Sequence, residues 1–179
     1  HPSGIKIVPG GLSIPDLKDV KPENLKQVLP SLEGLTDVVI IDGAAGLGRE
    51  ALSLMNAVDD LIIVTNPELP AVADAMKTVR VAEEMGKNVR GVVVAKTGSE
   101  GDISNTNLKT LLEKPILATI PHDKAVRHSL LKKDPAVYSH PKSKCAIAYK
   151  KLAAELIGID YDEKPENKFS EFFNKLKRR

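Results

Sequence analysis

The segment Ile40-Ile41-Asp42-Gly43-Ala44-Ala45-Gly46-Leu47-Gly48-Arg49-Glu50 holds the residue types best suited to chemistry in this chain. Asp42 follows an apolar run at residues 38–41. A carboxylate at the carboxyl end of a buried strand sits where open α/β sheets bind their ligands. Gly43, Gly46 and Gly48 allow φ > 0 and let the backbone pass close to a ligand. Their spacing is G-x-x-G-x-G, not the G-x-G-x-x-G of a dinucleotide fold, which excludes a nicotinamide or flavin site of that kind. The same residues would also suit a plain strand-to-helix turn with Asp42 facing solvent. Taken alone, the segment leaves both readings open.

A second constellation closes the chain. Phe169, Phe172, Phe173 and Leu176 fall at i, i+3, i+4 and i+7, one apolar stripe on an expected helix at 166–178. Lys168, Lys175, Lys177, Arg178 and Arg179 flank it, and the chain's three phenylalanines are all here. A basic amphipathic helix with Phe and Leu on one face is the pattern of an interfacial membrane anchor. The gain from burying the stripe is largely offset by ordering the segment, so one tail should bind weakly. Two tails on a dimer would share an effective concentration and bind far more tightly. The competing reading packs the stripe on its own domain or on a partner helix. Lysines crowding the border, and an acidic turn-rich linker at 158–165, favour the membrane.

Other candidates carry less. His1, His122, His128 and His140 show no metal-binding spacing, and the single cysteine, Cys145, can build neither a zinc site nor an internal disulfide. Gly98-Ser99-Glu100-Gly101 is not a nucleophile elbow. The basic stretch from Lys124 to Lys133, with Arg127 and His128, could meet the phosphate of a nucleotide or of DNA. A solvated helix face explains it as well.

The elements that must position these residues are legible from periodicity. Continuous apolar runs at 38–41, 61–64, 92–95 and 116–120 read as strands buried on both faces. Helical patterns alternate with them at 49–57, 70–85 and 105–112, the second opening with Pro70 and ending at Gly86. Such alternation implies βαβ crossovers and a mostly parallel, doubly wound sheet. Earlier, residues 5–8 suggest a strand, and 22–32 a helix broken or ended at Pro30. Later, 123–132 and 143–157 read as helices, with Ser143 as N-cap. The resulting organisation is an α/β domain at 1–157, a linker at 158–165 and a terminal helix at 166–179. With 179 residues, 28% charged and a net charge of +2, the composition is that of one folded domain, too nearly neutral to imply nucleic acid by itself. No apolar run reaches the roughly 20 residues that cross a bilayer.

Four segments in order resemble the MinD/ParA family of ATPases, its archaeal MinD proteins in particular. Asp42-Gly43-Ala44-Ala45-Gly46-Leu47 is similar to the switch segment D-x-P-A-G-L, with Ala44 in place of proline. Val64-Thr65-Asn66-Pro67-Glu68 resembles V-T-N-P-E, and Ala73-Asp74-Ala75-Met76-Lys77 resembles T-D-x-x-K. Ile120-Pro121-His122-Asp123-Lys124-Ala125-Val126-Arg127 resembles I-P-x-D-x-x-V-R. The resemblance implies a three-layer P-loop NTPase fold using ATP and Mg²⁺. It implies that Asp42 orders the water shell of magnesium and helps position hydrolytic water, and that the Gly46 backbone senses the γ-phosphate. It places Pro121, His122 and Asp123 near the adenine, with Lys96 where relatives often carry Asn-Arg. It further implies a homodimer formed on ATP binding, an activating protein partner, and a cytoplasmic protein held reversibly on the anionic inner face of the cell membrane.

The family's K-G-G-x-G-K-[ST] loop does not occur here, and Pro9-Gly10-Gly11-Leu12-Ser13 has neither its lysine nor its spacing. These 179 residues are therefore expected to be part of a longer chain and not to hydrolyse ATP alone. A ParA-like DNA-partition protein is a weaker reading, because DNA backbone binding needs charge rather than an apolar stripe. A non-catalytic membrane adaptor is the third. The lone cysteine also argues against the iron–sulfur carriers related to this family, which need paired cysteines.

Overall fold

The computed structural model describes residues 4–10 and 21–161; the expected amphipathic helix at 166–178 lies outside them. Short helical turns come first: α1, Leu25–Val28, lies between 3₁₀ turns at Pro22–Asn24 and Leu29–Leu32. Pro30 opens the second of these turns, so the helix expected at 22–32 breaks there. The core follows as α2 (Arg49–Ala57), β1 (Asp60–Thr65), α3 (Leu69–Glu84), β2 (Asn88–Thr97), α4 (Asn105–Leu112) and β3 (Ile116–Pro121). Three further helices complete it: α5 (Lys124–Lys132), α6 (Ala136–Ser139) and α7 (Lys144–Leu156).

The strands form one parallel sheet in the order β1-β2-β3. Helices cover both of its faces. On one side Met55 of α2, Val72, Ala75, Val79 and Ala82 of α3, and Leu108 and Leu112 of α4 pack on Leu61, Ile63, Val92 and Val94. On the other, Ala125 of α5 and Cys145 of α7 pack on Val93 and Ile120. Successive residues of β2 thus serve opposite cores, as the pleat requires. The central strand tolerates no extra atom at Gly91, where a Cβ would lie 2.6 Å from the carbonyl oxygen of Pro115.

Local chemistry sets the helix ends. Pro70 lies in the first turn of α3, and Gly86, at φ +69°, follows its last turn. Ser104 caps α4 through the N–H of Asn107, and Ser143 caps α7 through the N–H of Ala146.

Three strand expectations need correction. Residues 38–41 form no strand among the described residues, and Ile40 is 89% exposed. An extended segment becomes a strand only when neighbouring backbone supplies its hydrogen bonds, and none of the three described strands pairs with it. Residues 5–8 likewise form no strand among the described residues and are exposed. Burial on both faces holds for β2 but not for β1, whose exposure alternates along the strand and leaves Ile62 and Val64 open. The reason is placement: α3 packs on β1 from one side, whereas α7 on the other side packs over β3.

Candidate functional site

Parallel strands bring their carboxyl ends to one edge, where the following loops gather. At this edge Thr97 of β2 stands beside Pro121 of β3, and the N–H of His122 donates to the carbonyl of Thr97 at 2.8 Å. The register shifts between Ala95 and Thr97, leaving Lys96 as a bulged residue at φ +58°. A lysine in the left-handed region is uncommon and re-aims the chain at the strand end. Lys96, Pro121, His122 and Asp123, the residues expected near the base, are thereby brought together.

The loop after β2 is tied down twice. The carboxylate of Asp102 accepts from the N–H groups of Gly98 at 2.7 Å and Ser99 at 3.1 Å. The N–H of Ile103 donates to the carbonyl of Pro67 at 2.9 Å, linking this loop to the one after β1. Asp102 escaped the sequence reading. An aspartate closing a Gly/Ser-rich turn was the available signal.

Asp123 has a duty that spacing could not show. Its Oδ1 accepts from the N–H of Ala125 at 2.9 Å, capping α5, and its Oδ2 accepts from the N–H of Cys145 at 3.2 Å, in the first turn of α7. One carboxylate thus pins two helix starts, where backbone donors lack partners. These bonds, Ala125 first and Cys145 second, hold its pKa below the usual 3.8. The carboxylate thus has a structural task in addition to its expected place near the base, beside Pro121 and His122.

The sign of the linkage follows. The folded carboxylate takes up its proton less readily than the unfolded one, so its stabilisation is complete above the unfolded pKa and fades as pH falls through the folded one. Asp123→Asn retains one acceptor oxygen and turns an amide towards the other donor. It should lower Tm at pH 7, and the gap from the parent should narrow below about pH 4. Thermal melts across pH 2.5–7 read this. A gap independent of pH would refute the carboxylate's capping role.

Asp42 and Gly46 occupy their own loop before α2. Asp42 does not end a paired strand as expected; it is exposed, and Gly46 takes φ +86°. A Cβ on Gly43 would meet Leu54 of α2 at 3.3 Å, so this loop lies against the helix that it opens. Next to it, Nε of Arg49 donates to Oε1 of Glu23 at 2.7 Å, fastening the 22–24 turn to the start of α2. Among the described residues no hydrogen bond or ion pair joins Asp42 to Lys96 or to residues 121–123. Nor does any group of three or more potential metal ligands occur among them. A single free carboxylate suits Mg²⁺ held through water and shared with phosphates, not a protein cage. A shallow depression of about 400 Å³ lined by Ile103, Asn107, Thr110 and Leu111 contains none of the residues expected to bind nucleotide. No described helix is long and apolar enough to cross a membrane.

A parallel sheet with helices on both faces and its loops at one carboxyl edge defines a doubly wound α/β nucleotide-binding class. The ParA family profile, described as NUBPL iron-transfer P-loop NTPase, matches residues 20–157. The chain belongs to this MinD/ParA family of P-loop NTPases. It is 33% identical over 176 residues to an uncharacterised ATP-binding protein of Methanocaldococcus jannaschii, covering 98% of this chain and 67% of that one. The structure of the cell division ATPase MinD of Pyrococcus furiosus superposes with a TM-score of 0.78 at 35% identity, over 83% of this chain and 63% of that one. The septum site-determining protein MinD of Pyrococcus horikoshii, solved with Mg-ADP, gives 0.77 at 35% identity, over 82% of this chain and 60% of that one. The chain thus spans less than two thirds of either solved relative.

Proposed function

We propose that this chain is part of an ATP-dependent, membrane-associated positioning ATPase that places the division site or another cargo and works as a nucleotide-switched homodimer. The observation that carries the reading is the Asp42–Gly48 loop opening α2, on a fold shared at 35% identity with MinD structures, one of them holding Mg-ADP. In this reading Asp42 orders the water around Mg²⁺ and aligns the attacking water, while the bare N–H at Gly46 approaches the γ-phosphate. Bound Mg²⁺ would neutralise charge on the phosphates. Lys96 and the backbone at Pro121 and His122 flank the base at the carboxyl edge. The phosphate grip itself is not among these 179 residues, so hydrolysis belongs to a polypeptide that joins them to a K-G-G-x-G-K-[ST] loop. Phe169, Phe172, Phe173 and Leu176 would enter the anionic membrane surface, with Lys175, Lys177 and Arg178 facing lipid headgroups. An activating protein partner would time the cycle.

Co-sedimentation with vesicles, beside a DNA gel shift, tests the membrane half. The chain should bind vesicles containing about a third anionic lipid, and Phe172→Ser/Phe173→Ser should reduce binding on the order of tenfold or more. Retention of DNA together with indifference to lipid would favour a partition protein instead.

A further inference from the structure

Helix α5 is seated through small residues: Ala125 and Ser129, one turn apart, are its buried positions. Its larger side chains consequently face outward. Leu130 and Leu131 are 72% and 78% exposed, and Val126, one turn before Leu130, is also exposed. Helix α6, which packs against α5, adds the exposed Tyr138. Adjacent exposed leucines at a helix end contribute nothing to either core. The cations around them are equally unspent. Lys124, Arg127, Lys132 and Lys133 are all exposed, residues 124–133 contain no carboxylate, and none of the four joins an ion pair among the described residues.

We infer that the outer face of α5, with Leu130 and Leu131 at its tip and Lys132, Lys133 and Arg127 around them, is a second lipid contact, which inserts into an anionic membrane surface independently of the chain's C-terminal stripe. Charge decides the occupant: four unpaired cations within ten residues complement a sheet of anionic headgroups. Exposure agrees, since both leucines stand open to solvent and belong to neither core. Tyr138, with an apolar ring and a polar tip, suits the same interface. The inference rests on the proposed membrane association and adds a contact on the folded domain. A contact there would fix the orientation of the sheet's carboxyl edge relative to the membrane, because α5 starts at Asp123 on that edge.

The test uses the whole chain with phosphatidylcholine vesicles containing 30% phosphatidylserine, and with phosphatidylcholine alone. Leu130→Ser/Leu131→Ser and, separately, Lys132→Ala/Lys133→Ala should each weaken binding to anionic vesicles about tenfold while leaving Tm unchanged. Combining either pair with Phe172→Ser/Phe173→Ser should leave only the binding seen on neutral vesicles. If the tail variant loses binding and both α5 variants bind like the parent, the α5 contact is overturned and membrane association by the tail stands. If the parent chain ignores anionic vesicles, the membrane reading itself fails and takes this inference with it. If the leucine pair instead changes the mass in size-exclusion chromatography, the face belongs to a second copy and the inference is likewise overturned.

Discussion

Leu108→Ala is expected to destabilise the folded chain by about 2–5 kcal/mol, as large-to-small changes at closely packed sites do. Leu108 is fully buried on α4, in the cluster that joins α3 to β1 and β2. Its cluster mates Val72 of α3 and Val92 and Val94 of β2 are also inaccessible to solvent, and β-branched side chains so packed cannot swing into the space left behind. The void therefore stays, and its cost adds to the lost transfer energy. Urea unfolding followed by circular dichroism reads the loss as a lower midpoint with little change in m. Leu111→Ala is the control: that side chain is 39% exposed on the same helix, and the expected loss is small.

The second large effect concerns chemistry. If the full-length protein hydrolyses ATP as proposed, Asp42→Asn should lower kcat by roughly 10²–10⁴-fold while leaving Tm within a degree or two. Asp42 is exposed and has no side-chain partner among the described residues, so the fold does not depend on it. A carboxylate without a structural task, beside glycines that can approach phosphate, is free to act on Mg²⁺-bound water. The amide keeps the shape and removes the charge. The proposal therefore expects a fall in kcat larger than any rise in KM. Equal rates for the two proteins, or a comparable loss of stability, would assign Asp42 to the turn alone.

Helices were the most legible part of this chain, because each carries its own signals. Apolar spacing fixed Arg49–Ala57 and Asn105–Leu112 to the residue, and Ser143 announced α7. Strands were legible as apolar runs, but pairing depends on what lies alongside. The runs at 61–64, 92–95 and 116–120 entered the sheet, whereas 38–41 found no partner among the described residues. Hydropathy also could not reveal that β1 is covered on one side alone, since Ile62 and Val64 are as apolar as Leu61 and Ile63.

The candidate site divides in the same way. Family-like segments pointed to the strand ends, and the sheet brings Lys96 and residues 121–123 together there. The positive φ of Lys96 and the double capping by Asp123 stayed hidden. One depends on the register between β2 and β3, and the other joins residues 22 positions apart.

Nucleotide affinity of the full-length polypeptide tests the central claim most directly. Calorimetric titration should show Mg-ATP binding, one nucleotide per subunit, and no measurable binding to residues 1–179 alone. A full-length protein that takes up no Mg-ATP would contradict the account, as would a 179-residue chain that hydrolyses it unaided.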